Sequence, residues 1–255
     1  IPQLGLGVYK IPAGDLPAIV AEALRLGVRL IDGAAVYGNE AEMGEGIRRA
    51  EVPREQLFVT SKVWNSDQGY DRARRAIEAS LQRIGLDALD LCLVHWPCPA
   101  DGLYVETFRA LLDARRDGQV RSVGVSNFEP GHLDRVIAET GETPALNQVE
   151  VNPRMQNTTV RKANAARGIV TQAWTPLGVG ASFESPAVAE VCARTGKTPA
   201  QVILRWHLQL GHSTIPRTTR PEHLAQNLDL FDFALSEAEM EGIAGLDAGV
   251  RWRAH

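Results

Sequence analysis

Four residues, Asp32, Tyr37, Lys62 and His95, carry the side-chain types that protonation of a carbonyl oxygen requires. An ammonium group beside a phenol favours the phenolate, so Lys62 is expected to lower the pKa of Tyr37 from about 10 towards neutrality. Asp32 would hold that ammonium group in place. Tyr37 would then be a proton donor matched to neutral pH, and His95 could donate a hydrogen bond to the same oxygen. A carbonyl that accepts hydride needs both, because the developing alkoxide must be stabilised and then protonated.

Each of these residues taken alone has a simpler interpretation. A single Asp at the end of a strand more often caps a helix, a single Tyr usually forms part of an amphipathic wall, and a single His more often packs in the core. Only their occurrence together near successive strand ends favours the chemical interpretation.

Short apolar segments that end in polar residues predict the strands that position these side chains. Segment 87–97, DALDLCLVHWP, reads as a strand buried on both faces, with His95 as its last residue because Pro97 cannot continue it. Similar segments occupy residues 28–32, 57–62, 120–127, 146–152, 169–176 and 213–218, and residues 1–10 are consistent with a first strand. Asp32, Lys62, His95 and Asn127 follow one another at intervals of 30, 33 and 32 residues, which is one strand and one crossover helix per unit.

The alternation of strand and helix predicts a (β/α)8 barrel, formed as a single domain over residues 1–255. An open doubly wound sheet would alternate in the same way, but it would not bring all the polar strand ends to one mouth, where barrels keep their chemistry. Apolar residues at helical spacing predict helices over 15–26, 39–49, 71–84, 105–116, 130–140, 158–167, 186–195, 199–210, 221–228 and 236–246. Residues 247–255 have no readable pattern.

Composition argues against several classes of protein. The net charge is −4, and no basic cluster has interleaved aromatic residues, so a nucleic-acid partner is not expected. No window approaches the roughly 18 uninterrupted apolar residues of a membrane span. The three cysteines, Cys92, Cys98 and Cys192, have neither disulfide nor metal-ligand spacing, which fits a reducing cytoplasm.

A second group of residues, Arg217, Thr218 and Arg220, precedes a predicted helix with Pro221 in its first turn. Two guanidinium groups at the positive end of a helix make an anion site, and barrels often bind phosphate after strands 7 and 8. The alternative is an ordinary basic loop facing solvent.

No dinucleotide-binding fingerprint is present, since GLGVYK lacks the third glycine and GVGAS at 178–182 does not lead into a helical pattern. Any nicotinamide cofactor must therefore bind to the barrel itself. Tyr9, Trp64 and Trp96 lie at or just beyond strand ends and could wall a substrate pocket. Trp174 could stack on a flat ring.

The chain resembles the aldo-keto reductases over nearly its full length, and is most similar to the bacterial 2,5-diketo-D-gluconate reductase branch. The matching motifs are IPQLGLGVYK, IDGAAVYGNE, VTSKVWN, LCLVHWP, VGVSNF, LNQVEVNP, GKTPAQVILRWHLQ and PRTTRPEHLAQNLDLFDF. The resemblance implies an NADPH-dependent barrel in which Tyr37 is the general acid, Lys62 and Asp32 tune it, and His95 orients the carbonyl.

The resemblance also implies a set of cofactor-binding residues. The nicotinamide carboxamide would be held by Ser126, Asn127 and Gln148, the ring by Trp174, and the pyrophosphate by Leu177 and Gly178. The adenosine 2′-phosphate would be held by Arg217, Thr218 and Arg220, with Gln226 and Asn227 near adenine.

Several residues depart from the family pattern. Gly33 stands where Thr is usual, which predicts a small loss of local packing. His223 stands where Arg is frequent, so the phosphate site lacks one fixed charge and NADH is expected to be accepted as well. Arg217, Thr218 and Gln226 replace the usual Lys, Ser and Glu. The short tail predicts an open pocket and a broad substrate range.

These observations predict a monomeric cytoplasmic reductase of small dicarbonyls or keto-sugar acids. Two alternatives remain at this stage. One is a non-catalytic NADP(H)-binding protein on the same fold, because fold does not fix function. The other is a metal-dependent isomerase or hydrolase, which would need clustered ligands beyond Asp32, His95 and Glu150.

Overall fold

A computed structural model describes residues 1–252, and within them eight parallel strands pair in chain order. The strands are β1 (Gly5–Gly7), β2 (Leu30–Asp32), β3 (Phe58–Val63), β4 (Leu89–Val94), β5 (Val120–Ser126), β6 (Leu146–Glu150), β7 (Val170–Trp174) and β8 (Ser213–Thr214). Each of β1 to β7 is followed by a connection that returns to start the next parallel strand, as the spacing of the polar residues predicts.

The sheet closes on itself between its first and last strands. Leu4 forms a parallel bridge with Thr214, and the Thr214 backbone N–H donates to the Gln3 carbonyl at 2.7 Å. The Gly7 N–H donates to the Pro216 carbonyl at 3.2 Å. These bonds distinguish a barrel from an open sheet, so the predicted (β/α)8 fold is confirmed.

The helices of the described residues lie at α1 (Leu16–Arg25), α2 (Glu40–Arg49), α3 (Tyr70–Ile84), α4 (Tyr104–Arg116), α5 (Pro130–Thr140), α6 (Thr158–Ala166), α7 (Pro186–Thr195), α8 (Pro199–Gln209), α9 (Pro221–Leu228) and α10 (Glu237–Ala244). Their apolar faces cover the outside of the barrel. Ser236 caps α10 by accepting a hydrogen bond from the Glu239 N–H. No helix in this part of the chain is long and apolar enough to cross a bilayer.

Several strands end earlier than the sequence predicts. The predicted strand 169–176 ends at Trp174 because Thr175 has a left-handed backbone conformation, with φ of 49°. The predicted strand 213–218 stops at Thr214, two residues before Pro216. His95 follows β4 rather than ending it, although its backbone N–H still donates to the Val63 carbonyl at 3.1 Å.

Candidate active site

The four residues expected to protonate a carbonyl come together at the carboxyl ends of β2, β3 and β4. The Lys62 Nζ donates hydrogen bonds to the Asp32 Oδ2 and to the Gly33 carbonyl, both at 2.7 Å. It lies 5.4 Å from the centroid of the Tyr37 ring. The Tyr37 ring meets the His95 ring edge-on, with 5.9 Å between centroids. The side chains of Tyr37 and Lys62 are therefore neighbours on one rim.

A short turn after β2 places Tyr37. Residues Ala35–Tyr37 form one 3₁₀ turn, which ends at Gly38 with φ of 66°. This left-handed conformation is one that glycine adopts readily, and it directs the chain away into α2. Tyr37 also packs against Tyr9, with 4.9 Å between ring centroids.

The pKa of Tyr37 differs from the expectation. It is raised well above its usual value of 10, first by burial and then by the negative charge of Asp32. The expected shift towards neutrality was wrong because Asp32 already neutralises the ammonium group of Lys62, and burial disfavours a phenolate. Tyr37 is consequently a protonated phenol at neutral pH, which is the form that can donate a proton.

Burial also acts on Lys62, whose pKa it lowers from the usual 10.5. The charge and hydrogen bond of Asp32 oppose this effect and favour the ammonium form. Two of the three ammonium protons are used by Asp32 and Gly33. The third ammonium proton is left for another acceptor.

A chain of hydrogen bonds crosses the barrel from this pair. The Gln148 Nε2 donates to the Asp32 Oδ1 at 2.7 Å and to the Gln172 Oε1 at 2.6 Å. The Gln172 Nε2 donates to the Ser213 Oγ at 3.0 Å, which in turn donates to the Pro2 carbonyl at 2.9 Å. Gln172 and Ser213 were not among the predicted site residues, and their positions in β7 and β8 were the only signal for them.

A cavity of about 660 Å³ opens above these residues. Asp32, Tyr37, His95 and the three aromatic residues assigned to the substrate wall all line it: Tyr9, Trp64 and Trp96. The predicted cofactor residues that line it are Ser126, Asn127, Gln148, Trp174, Leu177 and Arg217. Lining residues that the sequence analysis did not select include Val36, Thr175, Val179, Phe183 and Trp252.

Hydrogen bonds to neighbouring residues hold the polar side chains at the end of β5 in place. The Ser126 Oγ donates to the Gln148 carbonyl at 2.8 Å, and the Asn127 Nδ2 donates to the His95 carbonyl at 3.0 Å and to the Ser126 Oγ at 3.1 Å. The Trp174 Nε1 donates to the Asn127 Oδ1 at 3.0 Å. This last bond holds one edge of the indole, so the orientation of Trp174 is fixed.

The predicted anion site includes one residue that lines the cavity and otherwise lies around the N-terminus of α9. Arg217 lines the cavity and donates to the Lys10 carbonyl at 3.1 Å, while the Thr218 Oγ1 accepts from the Arg220 N–H at 3.1 Å. Both arginines are exposed. The other cofactor residues predicted near this site lie in α9, where His223 is half-buried, Gln226 is exposed and Asn227 is buried.

The C-terminal tail reaches the cavity, although its sequence gave no sign of this. The Trp252 N–H donates to the Glu150 Oε1 at 2.9 Å, at the end of β6, and Trp252 lines the cavity. The Ala248 N–H donates to the Arg154 carbonyl at 3.0 Å. The expectation that the tail leaves the pocket open was therefore wrong at Trp252. Residues 253–255 lie outside the described part of the chain.

The space beside Gly33 is not empty, contrary to the expected loss of packing. A Cβ atom at this position would lie 2.9 Å from the Met43 Sδ and 3.1 Å from its Cε. Met43 is fully buried, so its long side chain fills the volume that a larger residue at position 33 would take.

Residues 1–252 contain no group of three His, Cys, Asp or Glu side chains that could hold a metal ion. The Glu150 Oε1 instead accepts hydrogen bonds from the Asn152 Nδ2 and from the Trp252 N–H of the tail.

The sequence profile of the Aldo/keto reductase family matches residues 3–248. The chain belongs to the aldo/keto reductase family. An aldo-keto reductase of Mycolicibacterium smegmatis is 49% identical over 251 residues, which cover 98% of this chain and 91% of that protein. The protein is accordingly an oxidoreductase, of a family that carries out NADP-dependent carbonyl reduction.

Solved structures of other aldo/keto reductases superpose on this fold. The crystal structure of the enzyme from Brucella melitensis has a TM-score of 0.93 at 41% identity, covering 97% of this chain and 95% of that one. The enzyme from Bombyx mori, solved in complex with NADP, has a TM-score of 0.93 at 33% identity, covering 98% of this chain and 91% of that one.

Proposed function

We propose that this aldo/keto reductase reduces aldehydes and ketones to alcohols with NADPH, using Tyr37 as the general acid. The observation that carries the proposal is the buried Lys62–Asp32 pair beside the Tyr37 ring, next to a cavity that Asp32, Tyr37 and His95 line. NADPH supplies the hydride when it is bound. Every other task in the reaction falls to side chains of this chain.

His95 and Tyr37 both act on the carbonyl oxygen. His95 hydrogen-bonds to that oxygen and orients it, which stabilises the negative charge that grows there. The phenol of Tyr37 transfers its proton to the oxygen, and the remaining phenolate faces the ammonium group of Lys62. Asp32 favours the charged form of Lys62 and so opposes the effect of burial on its pKa. Lys62 and Asp32 thus act through Tyr37.

The donors and acceptors of the cavity fit the nicotinamide group. Both amide protons of Gln148 are used by Asp32 and Gln172, which leaves its Oε1 to accept a bond from a carboxamide N–H. Ser126 and Asn127 supply further polar atoms at the same strand end. Trp174 is held by one edge, so its face can stack on the nicotinamide ring.

The other end of the cofactor would run along segment 175–180, with Leu177 and Gly178 beside the pyrophosphate. Arg217, Thr218 and Arg220 would bind the 2′-phosphate at the N-terminus of α9. Gln226 and Asn227 would then lie near adenine. His223 adds no fixed positive charge at the 2′-phosphate, so we expect the protein to accept NADH and to discriminate only weakly between NADPH and NADH.

Small dicarbonyls and keto-sugar acids are the proposed substrates, as in the 2,5-diketo-D-gluconate reductase branch. A cavity of about 660 Å³ must hold both the nicotinamide end of the cofactor and the substrate, which favours a small carbonyl compound. Tyr9, Trp64 and Trp96 would form its walls, with Trp252 from the tail.

We also propose a cytoplasmic monomer. Cys92, Cys98 and Cys192 form no disulfide, as expected of a protein in a reducing compartment. Sedimentation velocity at micromolar concentration should give a single species of 27.8 kDa, and a dimer would contradict this part of the proposal.

Steady-state kinetics with NADPH and with NADH, across a panel of aldehydes, α-dicarbonyls and keto-sugar acids, test the proposed function. We expect carbonyl-dependent oxidation of NADPH, fastest with the small dicarbonyls or keto acids. Binding of NADPH without its oxidation by any member of the panel would favour a non-catalytic binding protein instead. Higher kcat/KM for bulky aldehydes would overturn the substrate class alone.

A further inference from the structure

Two histidines are buried together outside the cavity and have no part in the proposed reaction. His207, near the end of α8, has no exposed surface, and His212, just before β8, is 4% exposed. Their Nδ1 atoms lie 3.2 Å apart. Burial lowers the pKa of His207 to about 3 and that of His212 to about 2, so both rings are neutral at pH 7 and each carries one ring proton.

The partners at the two ends fix where those protons lie. The Pro176 carbonyl can only accept, so the His207 Nε2, 3.0 Å away, carries the proton of that ring. The His207 Nδ1 must then accept from the His212 Nδ1. At the other end, the Arg161 Nε can only donate, and it does so to the His212 Nε2 at 3.0 Å. Both ends give the same assignment, so one directed chain of bonds runs from Arg161 through His212 and His207 to Pro176.

Pro176 belongs to segment 175–180, which forms one wall of the cavity. Thr175 and Val179 both have left-handed backbone conformations, with φ of 49° and 55°. This conformation is unfavourable for β-branched residues and persists only where the surroundings hold it. Leu177 packs against the apolar cluster that contains Leu204 and Leu208 of α8. The hydrogen bond from His207 ties the same segment to the same helix.

We propose that Arg161, His212 and His207 are positioning residues that hold segment 175–180 in the conformation that binds the phosphates of NADPH. They control cofactor affinity without touching cofactor or substrate. This inference rests on the proposed function, because that function assigns segment 175–180 to the pyrophosphate.

His207→Phe tests the proposal, because it keeps a ring at this position and removes both nitrogen atoms. We expect the NADPH Kd, measured by quenching of tryptophan fluorescence, and the KM for NADPH to rise about tenfold, as the loss of a buried hydrogen bond allows. The kcat at saturating NADPH and the KM for the carbonyl substrate should stay within about twofold, because the protonating residues are untouched.

Two further variants separate positioning from general loss of stability. His207→Gln keeps an amide donor for the Pro176 carbonyl and an acceptor for His212, and we expect it to restore the NADPH Kd to within about threefold of wild type. Val202→Ala removes buried volume from α8 without touching the chain of hydrogen bonds. It should lower the Tm and leave the NADPH Kd unchanged.

An unchanged NADPH Kd in folded His207→Phe would overturn the proposal, as would a failure of His207→Gln to restore a weakened Kd. If His207→Phe does not fold, Arg161→Met tests the chain from its half-buried end, with an expected rise of about threefold in the Kd; no rise would overturn the proposal. Wild-type protein that neither binds nor oxidises NADPH would refute the proposed function itself, which is a separate result.

Discussion

The Lys62 Nζ lies 2.7 Å from the Asp32 Oδ2, and the two side chains are 0% and 2% exposed. The cation beside Tyr37 is therefore already paired with a carboxylate. Burial of the phenol and the negative charge of Asp32 raise the pKa of Tyr37, so it keeps its proton at neutral pH. The pairing also offsets the cost of burying the two charges. In the proposed reaction, the ammonium group of Lys62 stabilises the phenolate that forms when Tyr37 gives up its proton.

Asp32→Asn should shift the pH dependence of reduction towards acid. The carboxylate raises the pKa of Tyr37 in the native protein, so its removal lowers that pKa, and the phenol loses its proton at a lower pH. Wild-type kcat should be flat through neutral and mildly alkaline pH. In Asp32→Asn, the alkaline loss of kcat should begin at a lower pH than in wild type. The measurement is kcat with saturating NADPH from pH 6 up to the highest pH at which both proteins stay folded.

Asp90→Asn is the matched control for this shift. Asp90 is equally buried, in β4, where it accepts from the Val59 N–H at 2.9 Å and pairs with Arg54 and Arg121. The charge of Asp90 is not among the causes of the raised Tyr37 pKa, so the pH profile of kcat in Asp90→Asn should match that of wild type. An Asp32→Asn profile that stays in place, or moves to higher pH, would show that Asp32 does not control the phenol.

Lys62→Met should destabilise the fold more than the combined variant Asp32→Asn/Lys62→Met. The single change leaves the Asp32 carboxylate buried without a cation, which costs about 3–5 kcal/mol, whereas the combined change removes both charges. Urea unfolding at pH 7 measures the free energies. Arg49→Met, which breaks an exposed ion pair with Glu45, should change stability little. A combined variant less stable than Lys62→Met would contradict this prediction, because it would mean that Asp32 stabilises the barrel without Lys62, for example through its hydrogen bond from Gln148.

His223→Arg should tighten NADPH binding much more than NADH binding. The residue lies in the first turn of α9, close to Arg220, and an arginine there would add a fixed positive charge for the 2′-phosphate. Fluorescence titration with both cofactors gives the two Kd values, and we expect a ratio that changes about tenfold. Equal changes for NADPH and NADH would show that position 223 does not sense the 2′-phosphate.

The barrel could be predicted from the sequence because its strands are short apolar runs at a regular interval. Asp32, Lys62 and His95 each lie next to such a run, so their meeting at one mouth follows from the fold. Strand ends were less accurate, since the end of β7 depends on the left-handed conformation of Thr175, which leaves no mark in the residue type.

The electrostatic environment of Tyr37 could not be predicted from residue types. Its pKa depends on how deeply the phenol is buried and on how closely Asp32 pairs with Lys62, and both are properties of packing. The contribution of Trp252 was missed for a related reason. Its backbone N–H donates to the Glu150 side chain at the cavity, and a backbone donor carries no sequence signature.

Tyr37→Phe gives the most direct test of the proposed acid. The variant keeps the aromatic ring that packs against Tyr9 and His95 and removes only the hydroxyl group. NADPH-dependent turnover of a small dicarbonyl should fall about 10²–10⁴-fold, with the NADPH Kd unchanged within about threefold. Wild-type turnover in this variant would show that the proton comes from another group and would contradict the proposed mechanism.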